Sequence, residues 1–223
     1  MMITISKYPI VMFMLVCFVS SCAKNDTDAI MNISHPENLY YYRLGEKRFL
    51  TKVDGKFYLL FNTKDESKLG AELAKVGIEF PEMKWIKTLS FYDMLYDLTG
   101  SGVKKFTNCT YMLSVKGDYE KAAAALSHSL YWAPYYKDED GREVGTTELI
   151  LVQLHPGTTL EQMKRLAKEY SVEMIGAAKY SPKFYLFACT NRSKGNALEM
   201  SAVFYESGLF EVVEPDEIIT GHF

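Results

Sequence analysis

The sequence predicts an α+β chain built as two tandem units, each an antiparallel sheet crossed by two helices. From Glu148 onward, the apolar pattern reads strand, helix, strand, strand, helix, strand. The stretch from Phe57 to Tyr136 repeats this rhythm less clearly. Cap and turn residues stand where each element should start or stop. Right-handed crossovers make the split β-α-β, or ferredoxin-like, topology the natural closure for this order.

The second unit is the clearer. Glu148 to Leu154 is apolar and β-branched enough for a strand, and His155-Pro156-Gly157 breaks it. Thr159 then opens a helix, with Gln162 completing a capping box. Leu160, Met163, Leu166, Ala167 and Tyr170 share one helical stripe. Val172 to Ala178 is the second strand, Tyr180 to Lys183 a turn, and Phe184 to Thr190 the third strand. Asn196 caps a second helix with Glu199 as its acidic partner, and Gly208 stops it. Phe210 to Glu214 is the closing strand, ended by Pro215.

In the first unit, Tyr40 to Lys52 reads as a preliminary hairpin. Asp54-Gly55 signals a tight turn before a strand from Phe57 to Asn62. Thr63 and Glu66 form a capping box for a helix running to Gly77. After a long stretch with Trp85 and Phe91 come a strand at Thr110 to Val115, an Ala-rich helix capped by Asp118 and running through Leu130, and a strand from Tyr131 to Tyr136. Asp138-Glu139-Asp140-Gly141 turns the chain into the second unit, with the boundary at Gly141 to Thr146.

Both alternating sets are apolar in Phe57-Tyr58-Leu59-Leu60-Phe61 and in Phe184-Tyr185-Leu186-Phe187-Ala188-Cys189. A ferredoxin-like unit covers only one sheet face with its own helices, and an exposed face should alternate with polar residues. The second face therefore meets either the other half of the chain or another protein.

The N-terminus reads as a targeting signal. Lys7 precedes an apolar run from Ile10 to Val19 that is short for a membrane span. Val19-Ser20-Ser21-Cys22 resembles a bacterial lipoprotein lipobox, which implies cleavage before Cys22 and lipidation of that residue. The alternative is an ordinary secretory signal. Residues 1–21 are then the signal and 22–38 a polar tether. Units of 39–145 and 146–218 follow, with an extended tail at 219–223. The implied location is the cell envelope, lipid-anchored in the bacterial outer membrane. Loss of the signal moves the formal charge from −3 to −4, and mild acidity argues against a nucleic-acid partner. Cys109 and Cys189 either pair across the halves or sit as small buried thiols.

Glu148 to Asp216 resembles the N-terminal prodomain of subtilisin-like serine proteases, of the fervidolysin-like type. The residues that carry the likeness are Glu148-Leu149-Ile150-Leu151-Val152-Gln153-Leu154-His155-Pro156-Gly157-Thr158, the helix Leu166-Ala167-Lys168-Glu169-Tyr170-Ser171-Val172, and Ala197-Leu198-Glu199-Met200 through to Glu214-Pro215-Asp216. The run Glu206-Ser207-Gly208-Leu209-Phe210-Glu211-Val212-Val213-Glu214-Pro215-Asp216 is its most specific part. The first half is similar to an extra region of secreted Bacteroidetes-type members. The family's peptidase motifs do not follow: no Gly-Thr-Ser-Met-Ala nucleophile segment and no His-Gly-Thr-His appears. Gly145-Thr146-Thr147 and Gly157-Thr158-Thr159 are turns by context. No enzyme activity is expected, and no cofactor or metal.

The resemblance implies an inhibitor or trans-acting folding chaperone of a subtilisin-like serine protease, working as a propeptide without its peptidase. Thr220, Gly221, His222 and Phe223 would enter the substrate cleft as an added strand, with Phe223 in the primary specificity pocket and its carboxylate at the oxyanion-hole donors. Thr220 is a poor filler for an apolar fourth subsite. Glu214, Asp216 and Glu217 would meet helix N-termini on the enzyme. Two alternatives stand: an envelope lipoprotein binding another protein or a glycan, and the non-functional remnant of a truncated protease gene. His35, His128, His155 and His222 lack metal-ligand spacing. Glu120, Asp138, Glu139 and Asp140 read as solvated surface. Trp85 and Trp132 are either core residues or part of an aromatic platform.

Overall fold

The computed structural model describes residues 39–61, 66–75, 77, 96–98, 106, 110–116 and 129–218. Its elements are β1 (Leu39–Arg43), β2 (Glu46–Phe61), α1 (Glu66–Lys75), β3 (Tyr96–Asp97), β4 (Thr110–Lys116), β5 (Ser129–Asp138), β6 (Glu143–Leu154), α2 (Leu160–Glu169), β7 (Glu173–Ala178), β8 (Phe184–Ala188), α3 (Ala197–Glu206) and β9 (Phe210–Ile218). The strands join in the order β1-β2-β5-β6-β8-β7-β3, with β4 added on β2 and β9 on β6. Every pairing is antiparallel. The described chain is thus α+β, mostly antiparallel sheet with three helices.

Leu44 and Gly45 join β1 to β2 with φ of 51° and 81°. A two-residue hairpin turn with both φ positive matches the twist of its strands, and Gly45 takes that conformation freely. The turn expected at Asp54-Gly55 is instead a bulge inside one long strand. Against β5, Lys52 pairs with Tyr136 and the next pair is Phe57 with Pro134. The extra residues of β2 loop out there, with Gly55 at φ 67°. Pro134 has no N–H to give and lies where the ladder is already interrupted. Phe57 to Phe61 then run between β4 and β5, and all five are fully buried.

Leu130, expected as the last residue of an Ala-rich helix, belongs instead with Ser129 to the start of β5. Residues 117–128, with the expected cap Asp118, lie outside the described residues, as do Thr63, Trp85, Phe91 and Cys109.

The second half follows its sequence closely. β6 starts at Glu143, five residues before the expected Glu148, because Tyr136↔Val144 and Lys137↔Glu143 make a hairpin with β5. The four strands after the β5–β6 turn lie in the order β9-β6-β8-β7. Both capping boxes form. Thr159 accepts from the Gln162 N–H while the Gln162 side chain takes the Thr159 N–H, and Asn196 and Glu199 do the same for α3. Gly208 follows α3 at φ 70°.

Pro215 does not end β9, which continues to Ile218. It stands opposite Ile150, beside a register shift between Thr146 and Ile150. Among the described strands β9 pairs with β6 alone, so its other edge needs no N–H from Pro215.

One core joins the halves. Tyr58, Leu60, Tyr131 and Tyr135 from the first half pack with Ile150, Val152, Phe187 and Phe204 from the second. Phe204 stacks on Phe210 at 5.4 Å and meets Phe187 edge-on at 5.7 Å. The opposite side of α3 places Leu198 in a smaller cluster with Tyr41, Leu50, Tyr136 and Val144. A helix apolar on most sides is a buried helix, and α3 buries Ala197, Leu198, Met200, Ser201, Ala202 and Phe204. The second apolar face of Phe57–Phe61 is therefore covered by this chain.

Candidate functional site

The segment expected to act, Thr220 to Phe223, lies outside the described residues, as does Cys22. The structure does show the ground from which that segment leaves. β9 closes its pairing with Glu217 opposite Thr146 and Ile218 opposite Gly145. Three pieces of chain converge there: β1, the β5–β6 turn, and the end of β9.

The β5–β6 turn is built by Asp138 and Gly141. The Asp138 N–H donates to the Arg142 carbonyl at 3.0 Å, and the Gly141 N–H to the Asp138 carbonyl at 2.9 Å. The Asp138 carboxylate accepts from the N–H groups of Asp140 and Arg142 at 3.1 and 2.8 Å. Gly141 sits at φ 77°, the left-handed residue that closes a three-residue hairpin loop. The run Asp138-Glu139-Asp140-Gly141 is thus a turn, as its sequence indicates, but Asp138 is its builder rather than a merely solvated charge.

Arg142 is held by that turn and reaches outward to β9. Its Nε donates to Asp138 Oδ2 at 3.1 Å, and its Nη1 lies 3.6 Å from Glu217 Oε2. Tyr41, in the middle of β1 and 1% exposed, donates its hydroxyl to Glu217 Oε1 at 3.3 Å and accepts from Arg142 Nη2 at 3.4 Å. Burial and the Glu217 charge push the Tyr41 hydroxyl above its ordinary pKa, against the pull of Arg142 and Arg43. It therefore stays a donor. Burial raises the Asp138 carboxyl, but the hydrogen bonds and charge of Arg142, with the Asp140 N–H, outweigh it and hold the pKa below the ordinary value.

The three acids marked in the sequence separate here. Asp216 accepts from the Thr147 hydroxyl at 2.8 Å and Glu217 enters the Tyr41–Arg142 cluster. Glu214 is exposed. All three line one shallow groove of about 380 Å³ with Tyr41, Tyr42 and Leu151. A second groove of about 480 Å³ adjoins it through Tyr41, Arg43 and Leu44, and adds Arg48, Asp138 and Arg142. Sequence reasoning missed Tyr41, Thr147 and Arg142, because nothing local marks a contact that spans 176 residues.

Two further groupings stand apart. On the surface, Tyr42 stacks on Tyr205 at 4.2 Å, and Tyr40 meets Tyr42 and Phe49 edge-on at 6.0 and 6.2 Å. Lys47 lies 3.5 Å from the centre of the Tyr40 ring, and Glu206 accepts from both Tyr40 and Tyr42 at 2.7 and 3.1 Å. In the interior, Tyr58 donates to Glu148 at 2.7 Å, and Tyr136 accepts from Asn196 at 3.0 Å. Cys189 is a free, fully buried thiol. Burial, helped by the Glu199 and Glu148 charges, pushes it well up against a contact from Ser193, so it stays protonated.

Among the described residues no group of His, Cys, Asp and Glu has the arrangement of a metal site, and no helix is long and apolar enough to cross a membrane. Compared with protein-family models and with curated proteins, the chain matches none.

Proposed function

We propose that this chain is a propeptide-like inhibitor or folding chaperone of a subtilisin-like serine protease, acting through Thr220, Gly221, His222 and Phe223. The observation that carries the reading is the strand order of the second half. β9-β6-β8-β7, all antiparallel with helical crossovers after β6 and β8, is the order of a ferredoxin-like unit. The described first-half order β5-β2-β4 follows the same scheme, which supports two such units in tandem. In the second unit the last strand is an edge strand among those described, and it leads straight into the tail. An extended segment leaving an edge can add to the substrate-binding edge of another protein, with main-chain hydrogen bonds giving affinity and alternate side chains giving specificity. Phe223 then fills an apolar primary pocket.

The protein is then secreted and held at the envelope by a lipid on Cys22. The test is direct. Residues 22–223 are titrated into a purified subtilisin that prefers aromatic residues, with a chromogenic peptide as reporter. Competitive inhibition that falls at least tenfold for Phe223→Asp supports the reading. No inhibition, together with no acceleration of subtilisin refolding, rejects it.

A second reading is an envelope protein that binds a glycan or another protein. The surface group of Tyr40, Tyr42, Phe49 and Tyr205 favours it, since ring faces beside a carboxylate suit sugars and peptides alike. Binding of envelope polysaccharide that Tyr42→Ala abolishes would support it.

A further inference from the structure

We propose that the β1–β2 turn and a groove beside α2 are the two halves of one self-association contact, in which Leu44 of one copy enters the groove of the next. This contact is separate from the tail mechanism proposed above.

Leu44 is 87% exposed at the tip of its hairpin, the most exposed large apolar residue among those described. Its φ is 51°. A leucine in the left-handed region is strained, and Asn before Gly is what such a two-residue turn favours. Leu44-Gly45 thus gives up turn stability and exposes an aliphatic side chain at the same time. Proteins break local rules of this kind at functional sites.

Carboxylates surround the tip. Leu44 lines both of the grooves that adjoin at Tyr41. In them Glu139, Asp140 and Glu214 have no ion-pair partner among the described residues, and Arg43 is the one cation in the same state.

The groove beside α2 has the opposite character. It measures about 610 Å³ and lies between α2, the start of β7 and the loop at Arg192. Ala167, Val172 and Met174 give it an apolar lining, and the exposed Lys164, Lys168 and Arg192 stand round it. Lys168 and Arg192 have no ion-pair partner among the described residues. Lys164 meets Glu161 at 3.2 Å in an exposed pair, which holds it weakly. Glu173 is the one acid in the lining. On a chain of formal charge −3, three cations round an apolar hollow select an acidic surface with an apolar tip. The β1–β2 turn is such a surface.

β1 opens the strand order and β7 stands five places along it, so tip and groove belong to different parts of the sheet. A protrusion that fits a pocket elsewhere on the same chain makes a head-to-tail contact, which extends into rings or filaments.

Sedimentation velocity on residues 22–223 tests this. The sedimentation coefficient should rise between about 10 μM and 1 mM, the span of a small interface. The rise should vanish in about 1 M salt, where exposed charges are screened. Leu44→Asn should abolish it too, yet raise the melting temperature by about 2–4 °C, because it relieves the turn. The double variant Lys168→Glu, Arg192→Glu should also stay monomeric. Each variant keeps the half that the other has lost. An equimolar mixture should therefore form a one-to-one complex that grows no further. A native chain that stays monomeric overturns the proposal, whether or not another protein occupies the groove. So does association that survives either variant, or a mixture that forms no complex. A melting temperature lowered by Leu44→Asn would show that Leu44 serves the fold, and overturns it as well.

Discussion

Tyr58 donates its hydroxyl to the Glu148 carboxylate at 2.7 Å, and both residues are fully buried although 90 positions apart. The bond joins β2 of the first half to β6 of the second. Burying a carboxylate is costly unless hydrogen bonds replace its water.

Tyr58→Phe removes one of those replacements and keeps the ring. It should destabilise the chain by about 1–3 kcal/mol, the cost of weakening a buried, charge-assisted hydrogen bond. Urea unfolding followed by far-UV circular dichroism measures it. A change below ~0.5 kcal/mol would contradict the role given to this bond.

Asn196 does two things at once. Its Oδ1 accepts from the N–H groups of Leu198 and Glu199, and its Nδ2 donates to Tyr136. Asn196→Asp keeps the cap and loses the donor, whereas Asn196→Ala loses both. The alanine variant should cost about 1–2 kcal/mol as a lost cap alone and more with Tyr136 left unserved. The aspartate variant should be milder. Thermal melts of the two variants give the order.

Gly176 in β7 is crossed by the backbone of Asp97. A Cβ there would run into the Asp97 carbonyl, which as backbone cannot swing aside. Gly176→Ala should therefore loosen β3 from β7 and cost about 1–3 kcal/mol. Faster amide exchange at Tyr96 and Asp97, with β8 unaffected, is the expected local signature.

The Asp138 carboxyl has its pKa lowered on folding, from an ordinary value of 3.8. A group depressed in this way stabilises the fold above its unfolded pKa. That contribution is lost as the pH falls through the lower folded value. The melting temperatures of the native chain and Asp138→Asn should thus differ at pH 6 and converge below about pH 4. A constant gap down to pH 2 would contradict the assignment.

What could be read from the sequence is what is local. Thr159–Gln162 and Asn196–Glu199 announce their helices within four residues, and both form. Asp54-Gly55 carries the signature of a hairpin turn, yet a glycine with positive φ serves a bulge equally well, and only the partner strand decides between them. Pro215 stops a central strand but not an edge one, and edge status belongs to the whole sheet. Tyr41, Arg142 and Glu217 had no chance of being grouped, since their contact depends on the pairing of β6 with both β5 and β9.

We propose that the residues after Ile218 carry the interaction. The most direct measurement compares the subtilisin inhibition constant of residues 22–223 with that of a chain lacking Thr220 to Phe223. Inhibition should be competitive and should weaken a hundredfold or more on deletion, about 2.7 kcal/mol. Equal potency of the two chains would contradict it.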